Sequence, residues 1–234
     1  MTDLVIFDCD GVLVDSEVLS CASLATLLSL HGVPTTAQEA MERFLGRSVV
    51  AIAEDFEARA GRPLPGDFLP RFREDVAARM RAELTAIPDI AKALTYLEEA
   101  GVPFCLASSS ERPRIDLALA VTGIAEFFDG RIFNAAMVKR GKPAPDLFLL
   151  AAERMGADPA RCLVIEDSVA GVQAGVAAGM TVWGFTGGLH HQTGRGAEML
   201  AAAGADRVFN KMTEFTLQGI EPEDGHQRDR KVAP

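Results

Sequence analysis

Short unbroken apolar runs alternate along this chain with longer stretches whose apolar positions recur at helical spacing. Residues 3–7 (DLVIF) make the first run and stop at Asp8, the pattern of a strand buried on both faces. Val18, Leu19, Ala22, Leu24, Ala25 and Leu28 then recur at helical spacing over 17–31, and Gly32 and Pro34 end that helix. From Thr36 to about Leu84 the spacing stays helical, punctuated by Gly46, Gly61 to Pro65 and Pro70, with no convincing strand. After Pro88 the texture changes to strand–helix alternation. Ile90–Ala100 reads as a helix, Val102–Ala107 as a strand, Arg112–Val121 as a helix and Arg131–Phe133 as a short strand. Pro145–Met155 (helix), Cys162–Ile165 (strand), Val169–Ala178 (helix), Met180–Phe185 (strand), Ala197–Ala203 (helix) and Arg207–Phe209 (short strand) complete the series. Such alternation predicts an α/β fold, a doubly wound parallel sheet with helices on both faces. An early, wholly helical insert interrupts it. The expected division is a core formed by 1–15 and 85–218, an inserted α-helical cap over 16–84, and a polar, disordered tail over 219–234.

Composition narrows the partners. The 234 residues carry 33 acids against 23 bases, a net charge of -10. No basic stripe for nucleic acid and no polybasic membrane patch is present. Residues 168–194 contain no charged side chain, but their seven glycines and polar interruptions argue against a membrane span. Cys9, Cys21, Cys105 and Cys162 lack metal-site spacing, and the first residues do not read as a signal peptide. The expectation is a reduced, cytoplasmic, monomeric protein.

Ligands of open α/β sheets bind at the carboxyl ends of the strands, so the residues following each strand matter most. Asp8, Asp10 and Gly11 follow the first strand, and Ser108, Ser109 and Ser110 follow the second. Lys142 lies in the loop before the Pro145 helix, and Glu166, Asp167 and Ser168 follow the CLVI strand. Each alone is ordinary, since acids and serines after strands commonly cap helices. Together they bring four carboxylates, a cation and a row of hydroxyls to one sheet edge. Carboxylates converging this closely repel one another, and a hard cation with oxygen ligands, Mg2+, explains the cluster best. Mg2+, a Lys and hydroxyls make a cradle for a phosphoryl group. One Asp can then serve as nucleophile and a second as general acid and base. In a regular strand Asp8 and Asp10 would share one face; Asp10-Gly11 suggests that the strand breaks there and frees Asp10.

At these residues the chain resembles the haloacid dehalogenase (HAD) superfamily. Asp8-Cys9-Asp10-Gly11-Val12-Leu13-Val14-Asp15-Ser16 is similar to its first signature. Leu106 to Ser110, Gly141 to Asp146 and Ile165 to Ser168 match the later motifs in order. The helical insert is similar to the cap of the beta-phosphoglucomutase-like branch. The resemblance implies a Rossmann-like core with Asp8 as nucleophile and metal ligand. Asp10 would be general acid and base, its backbone carbonyl also reaching the metal. Ser108 would hold a phosphoryl oxygen, with Ser109 beside it, and Lys142 would bridge nucleophile and phosphoryl group. Asp167 would ligate Mg2+, and Glu166 would ligate or orient it.

Departures from the family narrow the activity. Dehalogenases of the superfamily lack the second Asp, so Asp10 favours phosphoryl transfer. Phosphonoacetaldehyde hydrolases need a cap Lys, and no Lys precedes Lys92. The related mutases carry a His where this chain has Ser20, and an Arg where it has Val49. The expectation is therefore a Mg2+-dependent phosphatase acting on a small phosphorylated metabolite, a sugar phosphate, through an aspartyl-phosphate. A sugar phosphomutase is the alternative, and an idle binding module a third reading. Arg47, in the turn Gly46-Arg47-Ser48, and Glu17, past the hinge, are candidate substrate contacts. An exposed Arg and a helix-start acid favoured by the dipole are the competing explanations. His190 and His191 read as a surface loop pair near the rim.

Overall fold

A computed structural model describes residues 2–47 and 49–218. Ser48 and the expected tail over 219–234 lie outside the described residues. Six strands, β1 (Leu4–Phe7), β2 (Phe104–Ser108), β3 (Ile132–Asn134), β4 (Cys162–Glu166), β5 (Thr181–Phe185) and β6 (Arg207–Phe209), form one sheet. All pairs are parallel and the spatial order is β3-β2-β1-β4-β5-β6. The chain winds outward from β1 to β3, crosses back over β1 to β4, and winds outward the other way. The reversal of direction puts a crevice at the carboxyl ends of β1 and β4.

Side-chain alternation divides the core into two layers. Val5, Phe7, Phe104, Leu106, Leu163 and Ile165 face one way. Against them pack α5 (Ile90–Glu99), α6 (Arg112–Thr122) and α10 (Met212–Gln218). Leu4, Ile6, Cys105, Ala107, Val164 and Val182 face the other way, under α7 (Asp146–Met155), α8 (Val169–Ala177) and α9 (Gly196–Ala202). Both faces of the central strands are therefore apolar, which is why they read as continuous runs. The fold is the expected α/β doubly wound sheet. No helix among the described residues is long and apolar enough to cross a membrane; residues 168–194 divide into α8, β5 and their loops.

Between β1 and α5 the chain forms α1 (Glu17–Leu30), α2 (Ala37–Phe44), α3 (Val49–Ala60) and α4 (Phe68–Glu83). Thr36 and Glu39 form a capping box at the start of α2. Leu24, Leu28, Phe44, Phe56 and Phe68 give this segment an apolar cluster of its own, while Val76 and Met80 of α4 join the core. The chain leaves and re-enters the core side by side. Val14 bridges Ala86 antiparallel, the Asp15 amide donates to the Thr85 carbonyl at 3.0 Å, and the Ile87 amide donates to the Leu13 carbonyl at 2.9 Å.

Candidate active site

Asp8 extends β1 by one ladder bond, its amide donating to the Ile165 carbonyl at 3.0 Å. The backbone then folds into a turn. The Leu13 amide donates to the Cys9 carbonyl at 2.9 Å and the Gly11 amide to the Val14 carbonyl at 2.7 Å. Gly11 has φ +83°, left-handed backbone that glycine adopts without strain. The turn sends the two acids to different partners. Asp8 Oδ1 accepts from Lys142 Nζ at 2.6 Å. Asp10 Oδ1 accepts from Arg114 Nη2 at 2.7 Å and from the Ser16 hydroxyl, and its Oδ2 accepts from Ser110 Oγ at 2.6 Å.

Lys142 is 4% exposed and lies 4.8 Å above the Phe148 ring of α7. Besides Asp8 it donates to Glu166 Oε1 at 2.6 Å and to the Ala107 carbonyl at 3.0 Å, using three donors. Glu166 ends β4. Its Oε2 accepts from the amides of Asp167 and Ser168, both at 2.9 Å, and from Ser168 Oγ at 3.0 Å. Protein donors therefore occupy both Glu166 oxygens. A Cβ at Gly171 would lie 1.8 Å from the Glu166 carboxyl, so glycine in the first turn of α8 makes room for this buried acid. Asp167 is also buried, with Oδ2 3.0 Å from His190 Nε2 and its backbone carbonyl 3.0 Å from His191 Nε2.

The electrostatics follow from burial and neighbours. Burial pushes Asp8 well above the usual carboxylate range; Lys142 opposes this, and Glu166, Asp167 and Asp10 add to it. Burial and Glu166 raise Asp167 in the same way. Burial alone would raise Asp10 too, but Arg114 and the hydroxyls of Ser110 and Ser16 outweigh it and hold that carboxyl low. His190 is lowered by burial, and His191 is pushed by burial and by His190 to about 4. His190 and His191 are neutral at pH 7, so five carboxyls, Asp8, Asp10, Glu17, Glu166 and Asp167, face two cations, Lys142 and Arg114. Among the described residues no protein donor reaches Asp8 Oδ2. That excess of carboxyls over cations in a buried, oxygen-rich crevice is costly alone and fits a hard divalent cation. Asp167, His190 and His191 also place ligand atoms within 4.8 Å of one another.

The remaining expectations divide. Ser108 is buried at the end of β2, its Oγ accepting from the Ser110 amide at 3.0 Å, whereas Ser109 is exposed. Glu17 is half-buried beside Asp10, Arg114 and His190, and burial raises its carboxyl first, then Asp10. Arg47 is exposed, and no polar contact ties its side chain to the core among the described residues. The reading of His190 and His191 as a surface pair is corrected. Both lie in a single 3-10 turn (Leu189–Thr193) after β5, packed on Asp167, and His190 is 5% exposed. Adjacency of β5 to β4 brings them there. Carrying the strand-end rule on to β5 would have found them. Arg114 is a further site residue whose sequence signal is its place: a cation in the first turn of a helix opposes the macrodipole and so signals an acidic partner.

A model of the haloacid dehalogenase-like hydrolases matches residues 2–179. The chain is 29% identical over 191 residues to 6-phosphogluconate phosphatase of Escherichia coli, covering 81% of this chain and 85% of that protein. It is 33% identical over 180 residues to hexitol phosphatase A of the same organism, covering 76% and 80%. A Deinococcus radiodurans HAD family hydrolase, crystallised with bound phosphate and sodium, superposes with a TM-score of 0.77 at 39% identity, covering 92% of this chain and 93% of that one. The chain belongs to the haloacid dehalogenase-like hydrolase family.

Proposed function

We propose that this protein is a Mg2+-dependent phosphatase of small phosphorylated metabolites, sugar phosphates first among them. The observation that carries this reading is Asp8: buried, held through Oδ1 by Lys142 and, among the described residues, with no protein donor to Oδ2. The sugar-phosphate and sugar-alcohol names of the relatives support the substrate class. Helices α1–α4 are read as a cap that closes over the crevice about the paired crossings at Asp15-Ser16 and 84–87.

Asp10 is ionised in the free crevice and takes up a proton from solvent as substrate enters. In the first step an Asp8 oxygen attacks phosphorus, the bond from phosphorus to the leaving oxygen breaks, and that proton passes from the Asp10 carboxyl to the leaving oxygen. In the second, water attacks phosphorus, the bond to Asp8 breaks, and Asp10 takes the proton of the water. Lys142 and Ser108 hold phosphoryl oxygens, and Glu166 orients Lys142. The Asp8 and Asp167 carboxylates and the Asp10 carbonyl would hold Mg2+, which when bound neutralises carboxylate and phosphoryl charge.

The test follows free phosphate and glucose 6-phosphate from beta-glucose 1-phosphate, and phosphate from a panel of sugar phosphates, with and without Mg2+. Asp8→Asn is expected to abolish phosphate release while leaving the circular dichroism spectrum intact. Wild-type turnover by Asp8→Asn would falsify the covalent route. Glucose 6-phosphate accumulating much faster than phosphate would replace hydrolysis by the mutase reading.

A further inference from the structure

Arg114 is a largely buried cation that the reaction above leaves without a task. It lies in the first turn of α6, and its Nη2 is 2.7 Å from Asp10 Oδ1, 3.1 Å from Ser20 Oγ and 3.3 Å from Ser16 Oγ. Its Nε lies 3.3 Å from the same Asp10 oxygen. One guanidinium thus joins three separate segments: core helix α6, the turn after β1, and α1, the first helix of the inserted segment. Three features show that this contact is built for Asp10. The macrodipole disfavours a cation at this end of α6, so the position needs an acidic partner. Nε and Nη2 both meet Asp10 Oδ1 while Ser110 Oγ holds Oδ2 at 2.6 Å, so the guanidinium fork and the hydroxyl together fix the carboxyl, with a rigid two-nitrogen edge that a Lys ammonium lacks. Small side chains at 16, 20 and 110 leave the space that the fork and the carboxyl fill, and a bulkier group at 20 would displace Nη2.

We propose that Arg114 is a positioning residue for Asp10, fixing the carboxyl that exchanges a proton with the leaving oxygen and registering it against α1. This rests on the reading of Asp10 as general acid and base. Loss of Arg114 then harms proton delivery more than phosphoryl binding. Esters whose leaving oxygen needs a proton suffer, and esters whose leaving oxygen departs as a stable anion are spared.

The experiment compares kcat/KM of full-length wild type and Arg114→Met on 4-nitrophenyl phosphate and phenyl phosphate at saturating Mg2+. kcat/KM is chosen because it covers the steps up to departure of the leaving group. A positioned acid contributes ~10²–10⁴-fold, so Arg114→Met is expected to lose at least about 30-fold more on phenyl phosphate than on 4-nitrophenyl phosphate. Arg114→Lys keeps the charge without the fork; it should show the same selective loss to a smaller degree and replaces Arg114→Met if that variant does not fold. Equal losses on both esters, or none, overturn the proposal and leave the phosphatase reading standing. A wild type inert on both esters overturns the phosphatase reading and this proposal with it.

Discussion

Lys142→Met removes one charge from the centre of the crevice and little else. Met has nearly the length of the Lys stem, so packing over the Phe148 ring survives. What disappears are two ion pairs at 2.6 Å, to Asp8 and Glu166, and a hydrogen bond at 3.0 Å to the Ala107 carbonyl, around a group 4% exposed. Breaking a buried pair by removing one partner costs about 3–5 kcal/mol, because the other charge stays buried. At roughly 2–4 °C per kcal/mol for a chain of this size, the melting temperature should fall by about 6–20 °C. The assay is urea and thermal unfolding in EDTA across a pH series. Asp8 titrates above its unfolded value in the folded chain. The folded state therefore holds the Asp8 proton longer than the unfolded one. The deficit of the variant should be smallest below the unfolded value near 3.8 and grow as pH rises through the raised folded value. A deficit under about 1 kcal/mol at pH 7, where the cited cost of an unpaired buried charge is several-fold larger, or one that ignores pH, would refute the reasoning.

Gly11→Ala should cost about 1–2 kcal/mol for left-handed backbone alone. Its Cβ would also fall 1.8 Å from Asp167 Oδ2, so calorimetry should show Mg2+ affinity reduced at least tenfold; unchanged affinity would mean that Asp167 is not a ligand. His191 is neutral in the folded chain down to about 4, against 6.5 when free. The unfolded chain gains that proton first as pH falls, so His191 contributes stability above 6.5 that is lost progressively toward 4. Urea midpoints of His191→Gln should depend less steeply on pH over that window than those of wild type, and parallel curves would count against the assignment.

Much of this architecture is legible residue by residue. The central strands are buried on both faces, so Leu4–Phe7 and Cys162–Glu166 leave an apolar signature that no solvent-facing alternation dilutes. The four 3-10 turns among the described residues are three to five residues long, too short for any period to register. One of them is the turn carrying His190 and His191. The strand-end rule reached Asp8, Lys142, Glu166 and Asp167 because it needs only strand direction. It did not reach the partner of Asp10, because that depends on how α6 lies against α1. For Arg47 the sequence placed the residue in a turn and left substrate contact and an exposed side chain as alternatives; the side chain is exposed.

The amino-acid sequence by itself determined the strand and helix alternation, the helical interruption, and which acids and which Lys end up on one sheet edge. Those are local properties, set by apolar period, by glycine and proline punctuation, and by the polarity of each strand. Only the tertiary structure decided the pairings beyond that of Lys142 with Asp8: Lys142 with Glu166, Arg114 with Asp10, and His190 against Asp167. Arg114 and Asp10 are 104 positions apart and Lys142 and Asp8 are 134 apart. They meet because β2 lies beside β1, which sets α6 next to the turn after β1, and because α7 returns across β2 and β1 and carries the Lys142 loop with it. Burial then makes each charge depend on the particular partner that this crossing supplies.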